Sequence, residues 1–149
     1  MHSLDNPLVM REIIMDHYKN PRNHGIVNDD SYMKTNMNSS TCIDNIDIEA
    51  KFNGDIIEDV RFDGEACAIS TASTSIMTEL VKGKSKEEAR KIIENYKDMI
   101  YEKDYDPSLI QEAYVFKNTY KQANRIKCAT IGWNGLERLI DESEGKKNG

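Results

Sequence analysis

Residues 46–62 read IDIEAKFNGDIIEDVRF. Ile46, Ile48, Ala50 and Phe52 alternate with Asp47, Glu49 and Lys51, and a period of two is the mark of a half-buried strand. Asn53-Gly54 follows. Both residues tolerate φ > 0, so the pair signals a tight hairpin. IIEDVRF (56–62) then returns as the antiparallel partner, and Tyr32 to Met37 offers a third strand. Asp63-Gly64 is expected to close this sheet.

On either side of the hairpin the period changes to 3.6. Upstream, Met10, Ile13, Ile14, His17 and Tyr18 share one helix face, and Asn20-Pro21 ends it because the residue before proline avoids the α region. Residues 21–31 read as loop. Downstream, Ile69, Ala72, Ser73, Ile76, Met77, Leu80 and Val81 form an apolar stripe, with Gly83 as a natural stop. Ser85 and Glu88 make a capping box for a helix whose face is Ala89, Ile92, Ile93, Tyr96 and Ile100. Asp106-Pro107 starts a shorter helix. Residues 117–127 (KNTYKQANRIK) read as a basic loop. Ala129, Trp133, Leu136, Leu139 and Ile140 define the last helix, and from about residue 142 a frayed tail is expected. Strands followed by helices predict an α+β fold, a small three-stranded antiparallel sheet with helices packed on it. No linker or repeat divides the chain, so residues 1–149 are expected to form one domain.

With 38% apolar and 31% charged residues, the composition is that of a globular protein. The net charge of -6 and the scattered Lys and Arg argue against nucleic-acid binding. No apolar run is long enough to span a membrane. The N-terminal stretch MHSLDNPLVMRE has no signal-peptide pattern, and three cysteines argue against a disulfide framework. A cytoplasmic setting with free or metal-bound thiols is therefore expected.

The cysteines carry the chemistry. Cys42 lies in a polar run, SSTCIDNI (39–46), two residues before Asp44. Cys67 precedes the second helix and Cys128 stands at the expected start of the last. A thiol at a helix N-terminus is favoured as thiolate. Three thiolates and the Asp44 carboxylate would suit tetrahedral zinc, or an iron–sulfur cluster with one weak ligand. Twenty-four residues separate Cys42 from Cys67 and 60 separate Cys67 from Cys128, so this is no finger spacing. Equally, Cys67 and Cys128 could be small core residues, since both precede apolar helix faces. His17 reads as a core-edge residue rather than a ligand. The hydroxyls of Thr71, Ser73, Thr74 and Ser75 read as a closely packed helix surface. Arg125, three positions before Cys128, could stabilise a thiolate or could be a solvated loop residue.

Four stretches together resemble the U-type proteins of iron–sulfur cluster assembly, and within them the SufU branch. They are IIMDHYKNPRNHG (13–25), TCID (41–44), FDGEACAISTASTSIMTELVKGKS (62–85) and RIKCATIGWNGLE (125–137). The IscU branch has a histidine shortly before the third cysteine, where this chain reads YKQANRIKC. The long gap between Cys67 and Cys128 is similar to an insertion of the SufU branch. The resemblance implies a SufE/NifU-like fold and zinc held by Cys42, Asp44, Cys67 and Cys128. It implies that Cys42 is a nucleophile accepting persulfide sulfur from a cysteine desulfurase, a pyridoxal-phosphate enzyme, with Arg125 assisting the exchange. A downstream iron–sulfur scaffold would be a further partner. The alternatives are a scaffold on which iron and sulfide form a [2Fe–2S] cluster, and a module with a structural zinc, which would contribute an apparent ~10–16 kcal/mol to folding. Ile43 and Ala66 stand where the family usually has glycine, and Gln122-Ala123-Asn124 stands where it usually has a proline.

Overall fold

A computed structural model describes residues 2–39 and 43–145. Helix α1 spans Pro7–Lys19, capped by the Asn6 side chain, which accepts from the Leu8 N–H, with Pro7 at the first turn. Asn20 ends it as expected. Strands β1 (Met33–Asn38), β2 (Asn45–Asn53) and β3 (Ile56–Glu65) follow and pair antiparallel in that order. Then come α2 (Ala68–Val81), α3 (Lys86–Ile100), the single turn α4 (Pro107–Ile110), 3-10 segments at Gln111–Phe116 and Thr119–Lys121, and α5 (Ala123–Ser143). The capping box of Ser85 and Glu88 on α3 and the Asp106 cap before Pro107 are both present.

The hairpin forms as the sequence dictates, with Ile48 opposite Phe62 and Ala50 opposite Val60, all four buried. A register shift between Lys51 and Phe52 lets Ile57 rather than Ile56 enter the core, and Ile56 stays exposed. Glu49, expected on the solvent face, is buried: its carboxylate accepts the backbone N–H groups of Val27 and Asn28 from the loop folded over that face. Tyr18, expected on the apolar face of α1, is exposed.

Two further expectations are corrected. Asp63-Gly64 does not end the sheet: pairing continues to Glu65 opposite Asn45. Gly64 permits this with φ +129, and because a Cβ there would lie 2.3 Å from the Asn45 carbonyl oxygen. The basic stretch 117–127 is not loop throughout, because α5 already begins at Ala123. Gln122 supplies no side-chain cap, so the sequence carries no start signal there. At its far end α5 runs to Ser143, past the expected fraying point. Arg90 holds it there by pairing with Asp141 at 2.7 Å and with Glu144.

α2 is the central helix, with Ser70, Ser73, Thr74, Ser75 and Thr78 all buried. Its hydroxyls bind neighbouring elements. Ser73 accepts from Trp133 Nε1 at 2.8 Å and donates to the Ala129 carbonyl at 2.7 Å. Tyr96 donates to the same carbonyl and stacks on Trp133, with ring centroids 3.8 Å apart. α5 meets α2 at Gly132, whose absent side chain leaves room for Thr74, and meets the sheet at Gly135, beneath Ile48 and Met37.

Candidate metal centre

Three chain-distant residues converge where β2 begins, β3 ends and α2 starts. One ligand atom each of Asp44, Cys67 and Cys128 lies within 4.8 Å of the other two. Asp44 and Cys128 are buried and Cys67 is half-buried. The geometry follows from the backbone. Because Gly64 lets β3 continue to Glu65 beside Asn45, Cys67 arrives two residues later against Asp44. The Cys67 N–H then donates to Asp44 Oδ1 at 2.9 Å, and the Ser70 hydroxyl donates to Oδ2. The Asp44 carbonyl accepts from Ser39 N–H at 3.1 Å, which pins both ends of the segment that carries Cys42.

Cys67 is the N-cap of α2, its Sγ accepting from the Ser70 N–H at 3.5 Å. That matches its expected place at a helix start. Cys128 differs. It is the sixth residue of α5, and its thiol points back to the Asn124 carbonyl at 3.8 Å. As the sixth residue it lies beyond the unpaired N–H groups of α5's own first turn. Burial, with the adjoining Cys67 thiol and the Asp44 carboxylate, pushes the Cys128 thiol up to about 12. A metal ligand must be deprotonated, so a cation and the proton compete for this sulfur.

The donor set fits zinc. Zinc–sulfur bonds of about 2.3 Å and zinc–oxygen bonds of about 2.0 Å give tetrahedral edges of roughly 3.3–3.9 Å, within the observed span. Ser70 and the Cys67 amide occupy part of the Asp44 carboxylate and fix its orientation, as groups behind a metal ligand do. Sequence reasoning missed Ser70. Its position three residues after an N-cap cysteine was the available signal.

Cys42 lies outside the described residues. Ile43, next to it, is 69% exposed, and Ala66 packs against the core. Arg125 is exposed on the first turn of α5, one turn before Cys128. It borders a groove with Arg11, Ile69 and Phe116. His17, read as a core-edge residue, is buried: Nδ1 meets Ser75 Oγ at 2.7 Å and Nε2 meets Glu112 at 3.3 Å. Ser75 also accepts the Arg22 N–H. His17 and Ser75 are buried, while the Glu112 carboxylate at the other end is 52% exposed. His24 pairs with Asp63 at 3.2 Å. No helix among the described residues is long and apolar enough to cross a membrane.

An α+β domain with a three-stranded sheet and an Asp–Cys–Cys group at the sheet's end defines the class: a small domain with a candidate thiolate–carboxylate metal site. The chain belongs to the family described as NifU-like N terminal domain, which matches residues 9–148. It is 44% identical over 136 residues to the zinc-dependent sulfurtransferase SufU of Bacillus subtilis strain 168, covering 91% of each chain. It is 39% identical to the iron–sulfur cluster assembly scaffold protein IscU of Streptococcus pyogenes serotype M1, over 88% of this chain and 82% of that one. A crystal structure of a SufU from Fervidobacterium islandicum AW-1, described as an iron–sulfur cluster assembly scaffold protein for the SUF system, superposes with a TM-score of 0.79. It is 35% identical and covers 87% of this chain and 94% of that one.

Proposed function

We propose that this protein is a zinc-dependent sulfur acceptor that takes persulfide sulfur from a cysteine desulfurase for iron–sulfur cluster assembly. The observation that carries the reading is the convergence of Asp44, Cys67 and Cys128 within 4.8 Å. Cys42 is the fourth ligand in this reading. Two residues of chain keep its Cα within about 7 Å of the Asp44 Cα. The 44% identity to a protein named as a zinc-dependent sulfurtransferase supports the choice of metal and activity. We place the protein in the cytoplasm, as one domain spanning 1–149.

Zinc held by Cys42, Asp44, Cys67 and Cys128 would keep the thiolates deprotonated and muted at neutral pH. Asp44 is held by Cys67 N–H and Ser70, and Cys67 and Cys128 sit on α2 and α5, so these three stay in place. Cys42 is the ligand that leaves. Its freed thiolate attacks the outer sulfur of the partner's persulfide. The partner's S–S bond breaks, its thiolate departs, and Cys42 carries the new persulfide. The exchange needs no external oxidant or reductant. Arg125, exposed one turn before Cys128, holds a positive charge at the site's edge and steadies the thiolate as it is released.

The test is alanine formation from L-cysteine by the desulfurase, with the zinc-loaded protein, a reductant and no iron. Saturable stimulation that vanishes in Cys42→Ala is expected. Equal stimulation by Cys42→Ala, or none by the unaltered protein, refutes the reading. The second reading is a scaffold for a [2Fe–2S] cluster, favoured by the 39% identity to a protein named as one. It predicts a labile cluster after anaerobic reconstitution that passes intact to an apo-acceptor.

A further inference from the structure

A groove of about 650 Å³ runs beside the metal centre, between α1, the 3-10 segments and the start of α5. Its floor includes Ile14, Ile69 and Phe116, and its rim includes Arg11, Gln122 and Arg125. Ile69 is two residues beyond Cys67 and Arg125 is three before Cys128, so the groove abuts the centre. In a chain of net charge -6, no carboxylate lines it among the described residues.

The two rim arginines stand apart from the other four. Arg22 pairs with Asp16, Arg90 with Asp141 and Glu144, Arg61 donates to the Gly25 and His24 carbonyls, and Arg138 donates to Thr35. Among the described residues, Arg11 and Arg125 have no such acceptor, and both are exposed. A guanidinium recognises carboxylates with two parallel N–H bonds. Two of them flanking an apolar floor call for an occupant with carboxylates at its edges and apolar side chains between.

We propose that this groove seats an acidic, partly apolar segment of the desulfurase, with Arg11 and Arg125 pairing its carboxylates and Ile14 and Ile69 covering its apolar side chains. The proposal rests on the sulfur-acceptor reading. It adds which face of the protein the partner grips and the chemistry of the segment it offers. Docking there brings the partner to the side of the centre formed by Cys67 and Cys128.

The test uses Arg11→Glu, an exposed residue outside the metal centre. With zinc-loaded full-length protein, the concentration giving half-maximal stimulation of the desulfurase should rise about tenfold or more, because like charges now meet. The rate at saturation, the zinc content and the melting temperature should hold, and the dependence of binding on salt should flatten. Unchanged half-saturation in Arg11→Glu overturns the groove while the acceptor role stands. Absence of stimulation by the unaltered protein overturns both. A photo-crosslinking residue placed at Gln122 keeps both arginines and reads the occupant directly. Capture of a desulfurase peptide rich in Asp or Glu supports the proposal. Capture of a peptide without carboxylates, or no capture from a complex that forms, overturns it.

Discussion

The carboxylate of Asp44 is bound to the backbone of Cys67, 2.9 Å from its N–H, so two proposed ligands of one ion also hold each other. Ser70 completes the arrangement by donating to the second carboxylate oxygen. Ser70→Ala removes that donor and leaves every ligand in place. Metal affinity should fall about 10- to 100-fold, the usual effect of losing a group that orients a ligand. Competition with a chromophoric chelator measures it.

Ile43 projects into solvent, so its side chain contributes little to packing. Its branched Cβ stiffens the backbone between Cys42 and Asp44. Ile43→Gly should therefore leave zinc content unchanged and speed sulfur acceptance a few-fold. Single-turnover transfer from a persulfidated desulfurase is the measurement, and a slower rate would contradict the argument.

Gly132 and Thr74 mark the closest approach of α5 to α2. A Cβ on residue 132 would lie 2.3 Å from Thr74 Oγ1 and 2.8 Å from its Cγ2. Gly132→Ala should destabilise the fold by about 1–3 kcal/mol through overpacking. Thr74→Ala removes both atoms, so the double variant should recover about 1 kcal/mol or more relative to the sum. Additive effects in urea unfolding would show that the clash is relieved elsewhere.

Tyr32 donates to the Asp59 carboxylate at 2.5 Å and ties the start of β1 to β3. That bond raises the Tyr32 phenol to about 12, and with Lys82 it keeps the Asp59 carboxyl below its usual range despite partial burial. The signs are opposite for the two groups. A raised phenol stabilises the fold below its unfolded value of about 10, and this is lost as pH climbs toward 12. A lowered carboxyl stabilises above its unfolded value, and this is lost as pH falls through the folded one. Tyr32→Phe should cost about 1–2 kcal/mol at neutral pH. The gap between variant and parent should close above pH 10, read from urea midpoints of the metal-free protein.

Much of the fold was legible because local signals agreed with their surroundings. Ile46, Ile48 and Ala50 alternate, Asn53-Gly54 turns, and Ser85 with Glu88 caps, so each element announced itself. What was hidden depended on contacts from outside the element. Glu49 reads as solvent-facing until the Val27–Asn28 loop covers it. Gly64 reads as a stop, yet its missing Cβ lets the strand continue. Arg125, Ile126 and Lys127 read as loop because Gln122 offers no cap, although α5 already includes them. Of the candidate site, Asp44 stands just before β2 and Cys67 just before α2, the places their neighbours in the sequence indicate. Cys128 was assigned to a helix end and sits a full turn inside. Ser70 lies just outside the Thr71–Ser75 hydroxyl run, and only the fold brings its hydroxyl to Asp44.

The Trp133–Ser73–Tyr96 cluster bears on how the protein lives with a metal that must be disturbed. Ser73 of α2 is hydrogen-bonded to Trp133 and to the Ala129 carbonyl of α5, and Tyr96 of α3 stacks on Trp133 and shares that carbonyl, with no proposed ligand side chain in the cluster. In a zinc finger the ion replaces a missing core, and stripping it unravels the chain. Here the apolar core cluster is built from residues other than Asp44, Cys67 and Cys128. In the proposed acceptor role, a thiolate could be given up to a partner and regained while the helices that carry Cys67 and Cys128 keep their places.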